Sequence, residues 1–167
     1  MCIALSFVPM MCAYVHFAEA DAKLAGRVSV AFSAAYATIV SLVYFAQLTT
    51  VRLNPLSPEA AHLLDFQQFG LMFNYDLLGY ALMSLSTFFA GLTIRPRARA
   101  ERHLRHLLML HGAFFVSCLF VPMLGLFKAG GTKWVGVALL ECWCLYFCPV
   151  SALSHLYFSS RGKRAPR

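Results

Sequence analysis

The apolar run GLMFNYDLLGYALMSLSTFFAGLTI, residues 70–94, contains a single charged residue, Asp76. These 25 residues are long enough, as a helix, to cross a hydrocarbon core of about 30 Å. A carboxyl group inside such a segment is costly to insert, so by default it is a candidate functional group. The alternative is a partnered group that only fastens two helices together, and both interpretations are open at this point.

Four more apolar runs flank this segment, at residues 1–18, 28–51, 104–127 and 134–158. The chain is 60% hydrophobic and 13% charged, whereas soluble domains are nearer half apolar and a quarter charged. A water-soluble fold of this composition would have too little polar surface. The sequence therefore predicts an all-α membrane bundle of five transmembrane helices, forming a single domain over residues 1–167.

The net charge of +7 could indicate nucleic-acid binding, but the placement of the basic residues argues against it. Most lie in short segments between or after apolar runs, which is typical of the positive-inside rule. That rule puts the N-terminus outside and the C-terminus in the cytoplasm, leaving only Arg52, Lys128 and Lys133 outside. We therefore expect a multi-pass protein of the bacterial inner membrane, with the lipid bilayer and no nucleic acid as its partner.

The connections between the runs are short. Ser57-Pro58-Glu59 predicts a short interfacial helix through Leu64, because proline suits the first turn of a helix. Residues 128–133 predict a tight turn. The first run begins without a polar flank, which is typical of a chain that has further residues upstream of Met1.

Polar groups from three of the runs fall in the outer leaflet once the topology is set. They are Tyr44, Gln47 and Arg52 on the second run, Asp76 and Tyr80 on the third, and Glu141 on the fifth. Polar stripes on membrane helices turn toward protein rather than lipid. We therefore predict that these six side chains line an outward-facing polar pocket for a small molecule or ion.

Arg52 is the partner we expect for Asp76, because a guanidinium stays ionised and can fork onto a carboxylate. Gln47 and Tyr44 would complete the hydrogen bonds of that carboxylate. At 1.5 Å per residue, Asp76 lies about 9 Å from the outer end of its helix, within reach of water or of Arg52.

Glu141 is the second acidic candidate. It forms a stripe with Cys144, Cys148, Ser151 and His155 at alternating steps of three and four residues, which we expect to face the bundle interior. Lacking a basic neighbour, Glu141 would hold its proton in apolar surroundings, which suits proton coupling. The alternative is a neutral acid hydrogen-bonded to another helix.

His16, His111 and His155 raise the alternative of haem ligation, as in the membrane anchors of respiratory enzymes. Their expected depths match poorly, and a buried histidine more often binds a neighbouring helix, so we expect no cofactor. The six cysteines form no CxxC pair. The sequence also lacks a nucleophile elbow, an HExxH motif, a P-loop and a dinucleotide turn, so enzyme activity is not expected.

Several short motifs resemble an uncharacterised prokaryotic family of small multi-pass membrane proteins. They are His16 with its charged link, Tyr44-Phe-Ala-Gln47-Leu, Asp76-Leu-Leu-Gly79-Tyr80 and His111-Gly112. The resemblance runs from the first to the fourth apolar run and implies a longer N-terminus. Because that family has no established activity, the resemblance emphasises Gln47, Asp76 and Tyr80 without naming a reaction.

The function that these features favour is binding, sensing or transporting a small ligand or ion. Two alternatives stay open. One is a redox subunit with a haem or quinone site, and the other is a purely structural subunit of a membrane complex or homo-oligomer.

Overall fold

The structure, a computed structural model, describes residues 1–125 and 133–163, without the side chains of 133–140. These residues form helices and no strand. The helices are α1 (Cys2–His16), α2 (Lys23–Ala46), α3 (Pro58–Leu64), α4 (Leu71–Thr93), α5 (Arg99–His111), α6 (Phe114–Met123) and α7 (Lys133–Gly162). Short 3-10 turns lie at Ala20–Ala22 and Phe66–Gln68, and a π-helical segment, Gln47–Val51, continues α2. The all-helical prediction is confirmed for this part of the chain.

Helices lie in all five predicted runs, but within the fourth run the helix is interrupted rather than continuous. The prediction was one helix over 104–127. In the structure α5 begins at Arg99 and ends at His111, and α6 begins at Phe114. Gly112 lies at the break, where an added Cβ would come within 2.9 Å of Cβ of Phe88. Around it the main chain switches to tighter bonds, from the amide of Gly112 to Met109 O and from that of Phe115 to Gly112 O. The predicted turn at 128–133 lies almost wholly outside the described residues.

The short helix after Ser57 is confirmed. Ser57 caps α3 by accepting a hydrogen bond from the amide of Ala60 at 3.3 Å, and Pro58 occupies the first helical position. The main-chain N–H of Glu59 and then the Ser57 hydroxyl hold the pKa of the Glu59 carboxyl below its usual value. These are the features expected of a helix N-terminus.

The most extensive helix pairing joins α2 to α4. Ser29 and Ser86 exchange hydrogen bonds across it, each hydroxyl donating to the other residue's carbonyl at 2.8 Å. Further along, Gly79 allows close approach, because a Cβ there would come within 2.6 Å of Cγ2 of Val40. Small residues and short hydroxyl bonds are the usual means by which helices pack within a membrane.

The bundle exposes large apolar side chains and also buries hydroxyl groups within its apolar core. Large apolar side chains are exposed on several helices, with Leu24 72%, Leu42 64%, Met123 72% and Leu145 68% exposed. The buried hydroxyl groups are those of Ser29, Ser33, Ser84, Ser86, Thr87 and Thr93. In water-soluble folds serine and threonine are mostly exposed.

Charged groups gather at one end of the bundle, where the α1–α2 link, the α4–α5 link and the end of α7 meet. Three ion pairs connect these segments: Arg95 with Asp21, Arg97 with Glu19 at 3.3 Å and Arg161 with Glu101 at 3.6 Å. The Arg161–Glu101 pair is nearly buried, with side chains 11% and 9% exposed. Arg161 also donates to the carbonyl of Arg95 and lies 5.2 Å above the ring centre of Tyr157.

By length and composition, two helical segments in the described ranges can cross a membrane: Ala20–Val51 and Arg99–Met123. The apolar helix Cys2–His16 is shorter.

Candidate functional site

Asp76 is enclosed within the bundle, on the second turn of α4. The residue is 4% exposed, and its Oδ1 atom meets no hydrogen-bond donor in the described part of the chain. No arginine or lysine in the described part of the chain forms an ion pair with it. A buried carboxyl oxygen without a donor loses its hydration without replacement, so it is an unusual feature in a folded chain.

Three tyrosines surround this carboxyl group within electrostatic range: Tyr36 and Tyr44 from α2 and Tyr80 from α4. The rings of Tyr36 and Tyr80 lie 5.9 Å apart, and Tyr80 meets Trp143 of α7 edge to face at 5.2 Å. Helical spacing explains this, since Tyr36 and Tyr44 are eight residues apart and Asp76 and Tyr80 four, so each pair shares a face. Tyr44, Asp76 and Tyr80 thus come together as predicted, and Tyr36 joins them.

Gln47 does not bind Asp76, so that part of the prediction is wrong. Its Nε2 donates to the carbonyl of Leu64 at 2.7 Å, and its Oε1 accepts from the amide of Phe66 at 3.1 Å. Both ends of the side chain therefore hold the loop between α3 and α4. The π-helical segment that begins at Gln47 presents it to this loop, and π segments often lie near functional sites.

Arg52 does not pair with Asp76 either. It is exposed and belongs to none of the ion pairs in the described ranges. The π-helical segment Gln47–Val51 lies between Tyr44 and Arg52, and its wider turn changes the rotation of Arg52 relative to Tyr44. The exposed guanidinium also keeps its hydration, which a buried pair would forfeit.

Glu141 lies on the outside of the described bundle, contrary to the prediction that its stripe faces inward. The inner face of α7 is instead formed by aromatic residues. Trp143 packs on Tyr80 and Phe147, and Tyr157 packs on Tyr14 of α1. Burying these large rings removes more apolar surface than burying the smaller polar stripe, which decides how the helix rotates.

His111 forms a hydrogen-bond chain that the sequence analysis missed. The indole N–H of Trp143 donates to Nε2 of His111 at 2.9 Å, so that nitrogen is an acceptor. Its Nδ1 must then carry the proton and donate to Oγ1 of Thr87 at 2.7 Å. The Thr87 hydroxyl in turn donates to the carbonyl of Ser84 at 2.9 Å. The available signal was spacing, since Thr87 lies eleven residues after Asp76 and therefore on the same side of α4.

These hydrogen bonds occupy both ring nitrogens of His111, so neither nitrogen is free to ligate iron. His155 and His16 are both exposed, and the His16 ring packs edge to face on Phe17 at 4.9 Å. The three histidines of the haem alternative are not brought together. Within the described ranges no three His, Cys, Asp or Glu residues form a metal-binding group.

Comparison of the chain with protein-family models, with curated proteins and with solved structures finds no match.

Proposed function

We propose that this chain is a multi-pass protein of the bacterial inner membrane that binds or moves a small cation, the proton included, at Asp76. The membrane assignment is supported by the exposed leucines and the buried hydroxyls, because lipid rather than water is the solvent that such a surface suits. Five spans agree with the chain's apolar runs, α5 and α6 together forming the fourth.

The proposed orientation places the charged end of the bundle in the cytoplasm. That end contains the ion pairs of Arg95, Arg97 and Arg161 together with the basic first turns of α5. Basic residues favour the cytoplasmic side of a membrane protein. Asp76, at the other end of α4, then lies in the outer leaflet.

The observation that carries the functional proposal is the buried Oδ1 of Asp76, which meets no hydrogen-bond donor among the described residues. An ionised carboxyl group has only acceptors, so the species that stabilises it must be a donor or a positive charge. Tyr36, Tyr44 and Tyr80 suit a cation too, because hydroxyl oxygens accept and ring faces attract positive charge. Among the described residues, no basic side chain pairs with Asp76, so nothing there favours an anion.

Access to Asp76 involves the loop that Gln47 holds. Together with α3 this loop forms the segment of residues 58–70, which lies against the outer ends of α2 and α4. Phe69 adopts the left-handed conformation (φ 53°), which directs the main chain toward the start of α4. Gly70 lies so close to the carbonyl of His62 that no side chain fits at this position. A species entering from outside would pass beside this loop.

The test is cation-dependent stability of the purified protein in lipid nanodiscs. Thermal unfolding is followed while Na⁺, K⁺ or tetramethylammonium is titrated at constant ionic strength, and separately while the pH is varied. A ligand that binds only the folded protein at 100 times its Kd stabilises it by about 2.7 kcal/mol. We expect one of these titrations to stabilise the wild-type protein and the effect to be lost in Asp76→Asn.

Tyr75→Phe is the matched control, since Tyr75 is the neighbour of Asp76 on α4 and is 45% exposed. It should keep the wild-type response. If Asp76→Asn and Asp76→Ala both fold and keep every cation and pH effect, the site is not at Asp76, and a structural subunit becomes the better account.

A further inference from the structure

The outer face of α7 has two halves of different chemistry. One half is apolar and includes Leu145 and Leu156, 68% and 56% exposed. The other half is the polar stripe of Glu141, Cys144, Cys148, Ser151 and His155, all five of them exposed. At 100° per residue the stripe spans about 80° of the helix surface. It points away from Trp143, Phe147 and Tyr157, which pack inside.

A polar stripe in this position does not suit lipid, given the membrane placement proposed above. A carboxyl group costs about 2.5–3.5 kcal/mol at the centre of a membrane helix on insertion scales, less at the outer-leaflet depth of Glu141, and less again when protein covers it. Cysteine and serine are also small, which lets a second helix approach closely. The stripe therefore has the composition of a helix–helix contact.

We infer that a second copy of this chain covers the stripe, with the two α7 helices parallel and related by a two-fold axis. Both copies insert in the same orientation, so each group on the stripe meets its own equivalent at the same depth. A hydroxyl, a thiol and a neutral imidazole each donate and accept, and so does a protonated carboxyl, so each can bind a copy of itself. Closed two-fold pairs are the commonest assembly of identical chains.

Charge also favours a second copy over a basic partner helix. The stripe residues Cys144, Cys148 and Ser151 carry no negative charge that would attract basic side chains. The contact is independent of Asp76, which lies inside the bundle on α4.

The chain supplies its own reporters for the test. Cys144 and Cys148 lie on the stripe, while Cys142 is equally exposed but on the apolar half, about 160° around α7 from Cys144. Full-length chains that retain one of these cysteines, with the other five replaced by alanine, are oxidised in native membranes with copper phenanthroline. Covalent dimer is then measured on a non-reducing gel.

We expect covalent dimer from the chains that retain Cys144 or Cys148. The chain that retains Cys142 reports random collision and should form little dimer. Light scattering of the wild-type protein in mild detergent should give twice the mass of one chain, and Glu141→Leu with Ser151→Leu should lower it to one. Equal dimer from all three single-cysteine chains, or none from Cys144 and Cys148, would overturn the inference. So would a monomeric wild-type protein in both nanodiscs and detergent.

Discussion

Ser29 of α2 and Ser86 of α4 hold each other's main chain, each hydroxyl donating to the other's carbonyl at 2.8 Å. The two hydroxyl oxygens are 3.2 Å apart, and Ser29 also lies 3.2 Å from the sulfur of Met11 on α1. Three helices therefore meet at one fully buried polar point. A reciprocal pair of this kind fixes the register of α2 against α4, on which the position of Asp76 depends.

Replacing either serine by alanine should destabilise the protein modestly. Hydrogen bonds between membrane helices average about 0.6 kcal/mol and reach about 1.7 kcal/mol, and this pair should lie in the upper part of that range because both members are buried. Ser29→Ala, Ser86→Ala and the double variant form a cycle that thermal unfolding in detergent can measure. Thr38→Ala, which removes an exposed hydroxyl bonded within its own turn, is the control. Additive single effects would show that the two serines are not coupled.

The inward faces of α2 and α4 could be predicted from sequence, because Tyr44 on one and Asp76 and Tyr80 on the other recur at helical spacing. The short helix after Ser57 could be predicted too, since a capping serine followed by proline acts within one turn. These signals are local, or depend on one helix at a time.

Gln47 and Glu141 show where sequence reasoning ends. The destination of Gln47 depends on where a loop 17 residues away folds back, to Leu64. The orientation of Glu141 depends on competition between two faces of α7, and the ring contacts of Trp143 and Tyr157 win. Such outcomes depend on the packing of several helices at once, which polar periodicity along one helix does not encode.

Gly79 should tolerate no larger side chain. A Cβ at this position would come within 2.6 Å of Val40 and 3.6 Å of Ile39, both on α2. Overpacking of this kind typically costs about 1–3 kcal/mol, so Gly79→Val should lower the melting temperature and loosen the α2–α4 contact. Gly162→Ala is the control, because nothing lies within 4 Å of that site. An unchanged melting temperature in Gly79→Val would mean that the two helices are not in close contact.

The His111 chain should be visible in tryptophan fluorescence. With Trp134 replaced by phenylalanine, Trp143 is the only tryptophan, and its indole N–H donates to His111. His111→Phe removes that acceptor and leaves the indole in an apolar site, so its emission should shift to shorter wavelength. Thr87→Val should shift it less, because Thr87 contacts the other ring nitrogen. Identical spectra for the Trp134→Phe protein and its His111→Phe and Thr87→Val variants would contradict the hydrogen-bond chain through His111.

Gln47 should control the mobility of residues 58–70. Gln47→Leu keeps the approximate size of the side chain but removes its bonds to Leu64 and Phe66, and Gln47→Glu removes the donor alone. We expect faster amide hydrogen exchange across this loop in both variants, with the larger increase in Gln47→Leu, since local opening limits exchange. Asn54→Ala, which removes an exposed bond to Thr50, is the control. Equal exchange in Gln47→Leu and the wild type would refute the role of Gln47.

The ion pairs at the charged end of the bundle should differ widely in importance. The Arg95–Asp21 pair is exposed, at 47% and 63% for its two side chains, so Asp21→Asn should cost at most about 1 kcal/mol and less in high salt. The Arg161–Glu101 pair is nearly buried, and Glu101 also accepts from the amide of Arg97 at 2.6 Å. Glu101→Ala leaves the guanidinium enclosed without its counter-charge, which typically costs about 3–5 kcal/mol.

The double variant Glu101→Leu, Arg161→Met separates the worth of the pair from the cost of breaking it. Removing both charges also removes the desolvation penalty of each, so the double variant should be more stable than Glu101→Ala alone and closer to the wild type. Chemical denaturation in mixed micelles, at two salt concentrations, measures all of these proteins on one scale. A double variant less stable than Glu101→Ala would show that the two charges act separately. A strong salt dependence of the Glu101→Ala effect would show that Arg161 is hydrated rather than enclosed.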